Sequence, residues 1–193
     1  MAHVTATTHN HAGSRTRLIA RFLLLATVLL LSSPASVPAD EYPQVEYRVK
    51  AAFLYNFARF TSWPEHTGSI FRLCVLGDVP FSQALNVLNG KVIHNETLVI
   101  TRLDHASAFN GCELVYIGTS YTDELDEVIA RLQEQSVLTV SDIDAFIDHG
   151  GIIGFRIVDN RIRFEINASA AARAGLSISS RLLSLANRVS SER

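Results

Sequence analysis

Residues 71–78 read FRLCVLGD, and this stretch decides the fold. The apolar run from Phe71 to Leu76 has the length of a buried strand, and Gly77-Asp78 is a turn signal that ends it. Residues 81–88 follow at once, with apolar side chains spaced for one face of a helix. A strand followed directly by a helix is the repeating unit of an α/β domain with parallel strands.

The same alternation continues downstream of this first unit. Apolar runs predict further strands, and helical spacing or capping residues predict helices between them. The predicted strands are 98–103, 114–117, 137–140, 152–158 and 161–167, and the predicted helices are 122–135, a short one begun by Ser141-x-x-Asp144, 168–174 and 179–189. Asp159-Asn160 between the last two strands is a hairpin signal. The pattern predicts a single α/β domain with a mostly parallel sheet of about six strands, a C-terminal antiparallel hairpin, and helices on both faces.

Upstream of the first strand, residues 43–60 predict an amphipathic helix. Phe53, Phe57 and Phe60 recur at steps of four and three residues, and Trp63-Pro64 ends the helix because proline disfavours helical geometry in the residue before it. Phe60 and Trp63 could line a ligand pocket. The same spacing also fits a core role, in which the phenylalanines are buried and Trp63 covers the helix end.

The first 39 residues have the three parts of an export signal. Arg15, Arg17 and Arg21 form a basic stretch, residues 22–31 are apolar except for one threonine, and small residues lead to Ala39. We predict cleavage after Ala39, which leaves residues 40–193 as the working domain outside the cytosol. An uncleaved signal anchor is the alternative, but ten apolar residues are fewer than the ~20 that a membrane span needs.

The predicted mature chain is acidic. It keeps 14 of the 17 basic residues and all 19 acidic residues, because the signal contains three arginines and no acid. A net charge of about −5 argues against nucleic acid or an anionic membrane surface as a partner.

Cys74 and Cys112 are the only cysteines, and each lies at a predicted strand. An oxidising compartment favours a disulfide between them. Two buried free thiols and a catalytic pair are the alternatives, although redox-active pairs usually have the spacing C-x-x-C.

Signals of enzymatic chemistry are sparse. Asp142, Asp144, Asp148 and His149 resemble a metal cluster, but acids of this kind also cap helices and occupy solvated faces. The glycines of residues 150–154 enter a strand, whereas a phosphate-binding loop needs a helix after its glycines. We therefore predict no cofactor, no metal site and no enzymatic activity.

Taken in order, several segments resemble the YfiR family. These are residues 47–60 (YRVKAAFLYNFARF) with Trp63-Pro64, 74–78 (CVLGD), 137–142 (VLTVSD), 150–155 (GGIIGF), 163–167 (RFEIN), 174–176 (AGL) and 179–183 (SSRLL). The resemblance implies a periplasmic α/β protein that represses an inner-membrane diguanylate cyclase by binding its periplasmic domain. It also implies an OmpA-like outer-membrane lipoprotein that sequesters the repressor, a homodimer, and control of cyclic di-GMP and biofilm formation.

The resemblance assigns roles to four residues. It matches Cys74 and Cys112 to the family's cysteine pair between the first and third strands. It makes Phe155 and Glu165 candidates for cyclase binding, although strand alternation equally allows a core aromatic and a strand-face carboxylate. No cysteines are available for the second disulfide that some members have.

Two further classes of protein stay open from the sequence. One is a periplasmic sensor that binds a small molecule near Phe60 and Trp63. The other is a hydrolase or a redox enzyme. A neighbouring gene for a GGDEF-domain membrane protein would favour the repressor, and a transporter or sensor-kinase neighbour would favour the sensor.

Overall fold

The computed structural model describes residues 41–191, except 65–67, 107–108 and 134. The predicted signal and its cleavage site lie outside the described residues. Within the described part of the chain, no helix is both long enough and apolar enough to cross a membrane.

The helices and strands alternate along the chain. In the described residues the helices are α1 (Glu41–Arg59), α2 (Ser82–Asn86), α3 (Leu125–Leu132), α4 (Ala168–Arg173) and α5 (Ser180–Leu185), with one 3₁₀ turn at Thr119–Tyr121. The strands are β1 (Thr61–Ser62), β2 (Ile70–Leu76), β3 (Val92–Ile93), β4 (Glu96–Leu103), β5 (Leu114–Ile117), β6 (Leu138–Ser141), β7 (Ile153–Val158), β8 (Arg161–Asn167), β9 (Ser177–Ile178) and β10 (Arg188–Ser190).

The main sheet has eight strands in the order β10-β8-β7-β6-β5-β2-β4-β3. Five neighbouring pairs are parallel, while β7 pairs with β8 and β3 pairs with β4 in antiparallel fashion. The prediction of a single α/β domain is confirmed, but the prediction of about six mostly parallel strands is wrong, because the sheet is mixed and has eight. A separate two-stranded sheet pairs β1 with β9.

Both edges of the main sheet explain the error in strand number. β3 has only two residues, which is too short to leave an alternating pattern in the sequence. β10 begins within the segment 179–189, where apolar residues spaced for a helix predict one continuous helix. In the structure that helix ends at Leu185, and Arg188 begins a strand parallel to β8.

The sheet carries one hydrophobic core on each face. The larger core packs α1, α2, α4 and α5 against residues such as Leu73, Tyr116 and Phe164. The second packs α3 against residues such as Val115 and Ile117. Alternation along each strand divides the side chains between the two cores.

The loops that follow β2 and β5 close the carboxyl end of the sheet between those strands. The order β4-β2-β5-β6-β7 is that of a doubly wound sheet, in which ligands bind outside the strand ends where the winding reverses. Here the Asp78 amide donates to the Ser120 hydroxyl at 3.1 Å. A Cβ at Gly118 would lie 2.6 Å from the Asp78 carbonyl oxygen, so only glycine permits this approach. The two loops thus occupy the usual ligand crevice.

Candidate functional site

A disulfide joins β2 to the turn that precedes β5. Cys74 and Cys112 are bonded, with their Cα atoms 5.8 Å apart and a sequence separation of 38 residues. Both are buried in the second core beside Phe109. The bond that the sequence favours is therefore present in the structure, and it encloses α2, β3 and β4 in one covalent loop.

The aspartates that resemble a metal cluster in the sequence are each paired with a different cation. Asp144 forms a salt bridge with Arg156 at 3.0 Å, and Asp148 forms one with Arg188. Asp142 bonds Lys50 at 3.0 Å. Among the described residues, no group of three or more histidine, cysteine, aspartate and glutamate side chains is placed to hold a metal ion. These aspartates therefore act as anchors between elements in this structure.

Lys50 is a buried cation at the middle of α1. Its ammonium bonds Glu46 at 2.7 Å and Asp142 at 3.0 Å, and it lies 5.9 Å from the centre of the Phe81 ring. Burial lowers the pKa of Lys50, but the bonds to both carboxylates outweigh burial and raise its pKa above the ordinary value. Lys50 therefore stays charged and ties α1 to the end of β6.

Tyr116 completes this buried polar cluster. Its side chain is 1% exposed, and its hydroxyl lies beside the Asp142 carboxylate. Burial, with the Asp142 carboxylate beside it, raises the pKa of Tyr116. The hydroxyl is therefore a neutral donor. No local spacing in the sequence indicates this cluster, because Lys50 and Asp142 are 92 residues apart.

Phe155 lies in the larger core. Its side chain is 4% exposed and packs against Phe53 and Phe57 of α1, with ring centres 6.0 and 5.6 Å apart. Its cross-strand neighbour Phe164 packs on the same two rings. In this conformation Phe155 positions the β7–β8 hairpin against α1 and offers little surface of its own.

Glu165 lies on the opposite face of the hairpin, beneath an arginine. Its side chain is 13% exposed, and the Arg188 guanidinium is 3.8 Å away. Arg188 also hydrogen-bonds Asp148, and this bond lowers the pKa of the Asp148 carboxyl. Glu165 is thus one end of a network that fixes β10 beside β8. Sequence reasoning misses Arg188, because the spacing of its segment predicts a helix.

The outer half of the β7–β8 hairpin has one apolar face and one charged face. Ile157 pairs with Ile162 on the face that Phe155 shares, and Ile157 is 65% exposed. Arg156 pairs with Arg163 on the other face. We call these four residues the hairpin surface. Asp159 and Asn160 form the turn between the strands, with φ of 49° and 58°, as the hairpin signal predicts.

Phe60 and Trp63 flank the short strand β1, and no ring contact joins them in the described structure. Trp63 packs edge-on against Phe71, with ring centres 5.1 Å apart, while Phe60 lies beside two arginines. The indole nitrogen of Trp63 and the hydroxyl of Thr61 are buried and have no hydrogen-bond partner among the described residues. A surface cavity of about 210 Å³ lies elsewhere, between α3 and the loop after β4, and is lined by His105, Ala106, Glu124, Glu127, Val128 and Arg131.

These features define a small α/β domain with one internal disulfide. The charged side chains described above form salt bridges mainly with one another. The profile of the YfiR/HmsC-like family matches residues 47–187, from within α1 to the residue before β10. The chain therefore belongs to the YfiR/HmsC-like family, as the resemblance predicts.

One solved structure has the same type of fold. It is the crystal structure of a conserved domain protein from Vibrio cholerae O1 biovar El Tor, with a TM-score of 0.55 and 11% sequence identity. The match covers 75% of this chain, and this chain spans 60% of the length of the Vibrio protein. Identity this low supports the fold alone.

Proposed function

We propose that this protein is a periplasmic regulator that binds the periplasmic domain of an inner-membrane diguanylate cyclase and holds the enzyme inactive. The observation that carries the proposal is membership of the YfiR/HmsC-like family, whose profile covers nearly the whole described domain. Members of this family are regulators rather than enzymes. The protein would act by stoichiometric binding, and its output would be less cyclic di-GMP and less biofilm.

The hairpin surface is the part of the fold that we propose for cyclase binding. Ile157 is one of the most exposed large apolar side chains, and it extends the aromatic face formed by Phe155 and Phe164 beyond the cover of α1. Apolar side chains at the centre of the contact, with charged side chains at its rim, are typical of protein interfaces. Arg163, which is exposed, would add a charge contact at the rim.

Phe155 and Glu165 would support this surface rather than form its centre. Phe155 fixes the hairpin on α1, and Glu165 fixes Arg188 on β10. Reversing the charge with Glu165→Lys would place an ammonium against the Arg188 guanidinium. If that variant lost repression, the loss would have two sources: a change in the local structure around Arg188 and any change in binding to the cyclase.

Deleting the gene is expected to raise cyclic di-GMP, because the cyclase would lose its repressor. The nucleotide is measured in extracts of the deletion strain, and the matched strain that also lacks the cyclase gene should show no rise. An unchanged level in the single deletion, with the cyclase expressed, would contradict the repressor proposal.

Ile157→Asp is expected to weaken binding to the purified periplasmic fragment of the cyclase by about tenfold or more, because a desolvated apolar contact is lost and a charge is buried in its place. Titration calorimetry gives the affinity. Val87→Asp is the matched control, since Val87 is 67% exposed and lies away from the hairpin surface. Both variants should melt like the wild type, since exposed substitutions change stability little. Equal binding by both variants would move the interface elsewhere.

A second candidate function is small-molecule sensing near Trp63. The Trp63 indole nitrogen and the Thr61 hydroxyl support it, because both are buried and lack a partner in the described part of the chain, whereas buried polar groups normally have hydrogen-bond partners. Unchanged cyclic di-GMP in the deletion strain would favour this function. The OmpA-like lipoprotein and a second copy of this chain stay predictions from the resemblance.

A further inference from the structure

Three cations lie along one strip of the surface around the carboxyl end of α1, with two aromatic rings between them. The Tyr55 ring is 5.6 Å from the Arg59 guanidinium and 5.7 Å from the Lys91 ammonium. The Phe60 ring is 5.9 Å from Arg59 and 5.5 Å from Arg181. The order along the strip is therefore Lys91, Tyr55, Arg59, Phe60, Arg181. We call these five residues the cationic strip.

The three cations are exposed and have no acidic partner within ion-pair distance in the described part of the chain. This distinguishes them from Lys50, Arg156 and Arg188, each of which bonds a carboxylate. The mature chain has more acids than bases, so three unpaired cations together do not follow from composition. Their charge is available to a ligand.

The fold holds the two rings in place. The Tyr55 hydroxyl donates to the Val92 carbonyl at 3.1 Å, which anchors the ring against β3. The Phe60 carbonyl accepts from the Ser179 amide at 2.9 Å, which fixes the start of α5, and hence Arg181, beside Phe60. A guanidinium that lies on a ring keeps its N–H groups free for a carboxylate, and the fixed rings reduce the entropy that binding would cost.

We propose that the cationic strip binds an acidic, extended segment of a partner protein. The carboxylates of such a segment complement the charge of the three exposed cations, and the linear order of cations and rings suits an extended chain better than a small compact anion. The net negative charge of the mature chain disfavours an anionic membrane as the occupant, because the rest of the surface would be repelled. This proposal is independent of the cyclase and of the hairpin surface.

The test uses protein purified from the periplasm and two labelled eight-residue peptides, one alternating glutamate with serine and one alternating glutamine with serine. Fluorescence anisotropy at low salt should show binding of the glutamate peptide only, weakened by added salt. The triple variant Arg59→Gln, Lys91→Gln, Arg181→Gln should bind about tenfold more weakly, as expected for three exposed charge pairs. The control triple variant Arg48→Gln, Arg102→Gln, Arg161→Gln removes the same charge elsewhere and should bind within twofold of the wild type.

Three results would overturn the proposal. They are equal binding by the strip variant and the wild type, equal weakening in both triple variants, and binding to phosphatidylglycerol vesicles without binding to the glutamate peptide. The last result would assign the cationic strip to a membrane surface. All variants should keep the wild-type melting temperature, which separates lost binding from lost folding.

Discussion

Replacing both Cys74 and Cys112 with alanine is expected to lower the free energy of unfolding by about 4 kcal/mol. The disulfide closes a loop with a sequence separation of 38 residues. Opening a loop of this length raises the conformational entropy of the unfolded chain and so lowers the free energy of the unfolded state by about that amount. The loop contains α2, β3 and β4, so a large part of the sheet depends on one covalent bond.

Urea denaturation of the variant and the wild type measures this loss directly. Wild-type protein held under a strong reductant is the internal control, because it loses the bond while keeping both sulfur atoms in the core. The single variant Cys74→Ala should lose nearly as much stability as the double variant. A loss below about 1 kcal/mol in all of these samples would mean that packing around Phe109 alone holds this part of the sheet.

Lys50→Met is expected to lower the free energy of unfolding by about 3 kcal/mol at neutral pH. The substitution keeps most of the apolar volume, but it leaves the Asp142 and Glu46 carboxylates without their cation. Removing one partner of a buried ion pair typically costs about 3–5 kcal/mol, and we expect the lower end because Asp142 and Glu46 are 22% and 33% exposed.

The pH dependence gives a second measure of the same interaction. The pKa of Lys50 is raised above its ordinary value of 10.5. The charge of Lys50 therefore contributes fully to the free energy of unfolding below about pH 10.5, and this contribution is lost as pH rises through the raised pKa. The difference between Lys50→Met and the wild type should therefore shrink in alkaline solution. Combining Lys50→Met with Asp142→Asn should cost less than the sum of the single changes, because the two side chains interact directly. Additive losses would show that they are not coupled.

The sequence predicts those parts of the fold that depend on local pattern. Strand β5 begins and ends at the predicted residues, and α1 differs from its prediction by two residues at one end and one at the other. The helix expected after Ser141 is absent because Ala145 has a φ of 56°, which breaks helical geometry. The Ser141 hydroxyl still accepts from the Ile143 amide, so the capping pattern correctly marks a turn.

The parts of the site that could not be predicted are pairings across long sequence separations. Lys50 reaches Asp142 over 92 residues, and Arg188 reaches Asp148 over 40. Neither pairing has a local spacing that would indicate it. The cationic strip is similar, because its rings and cations come from α1, the turn before β3, and α5.

The position of β10 has a practical consequence for synthesis and engineering. The three residues of this strand cover the outer edge of β8, yet they are synthesised after all the other described strands of the sheet. Until they arrive, β8 has an open edge that can pair with the wrong chain. A truncation before residue 188 would make that state permanent and should favour aggregation. An affinity tag is therefore better placed on the amino-terminal side of α1 than directly after β10.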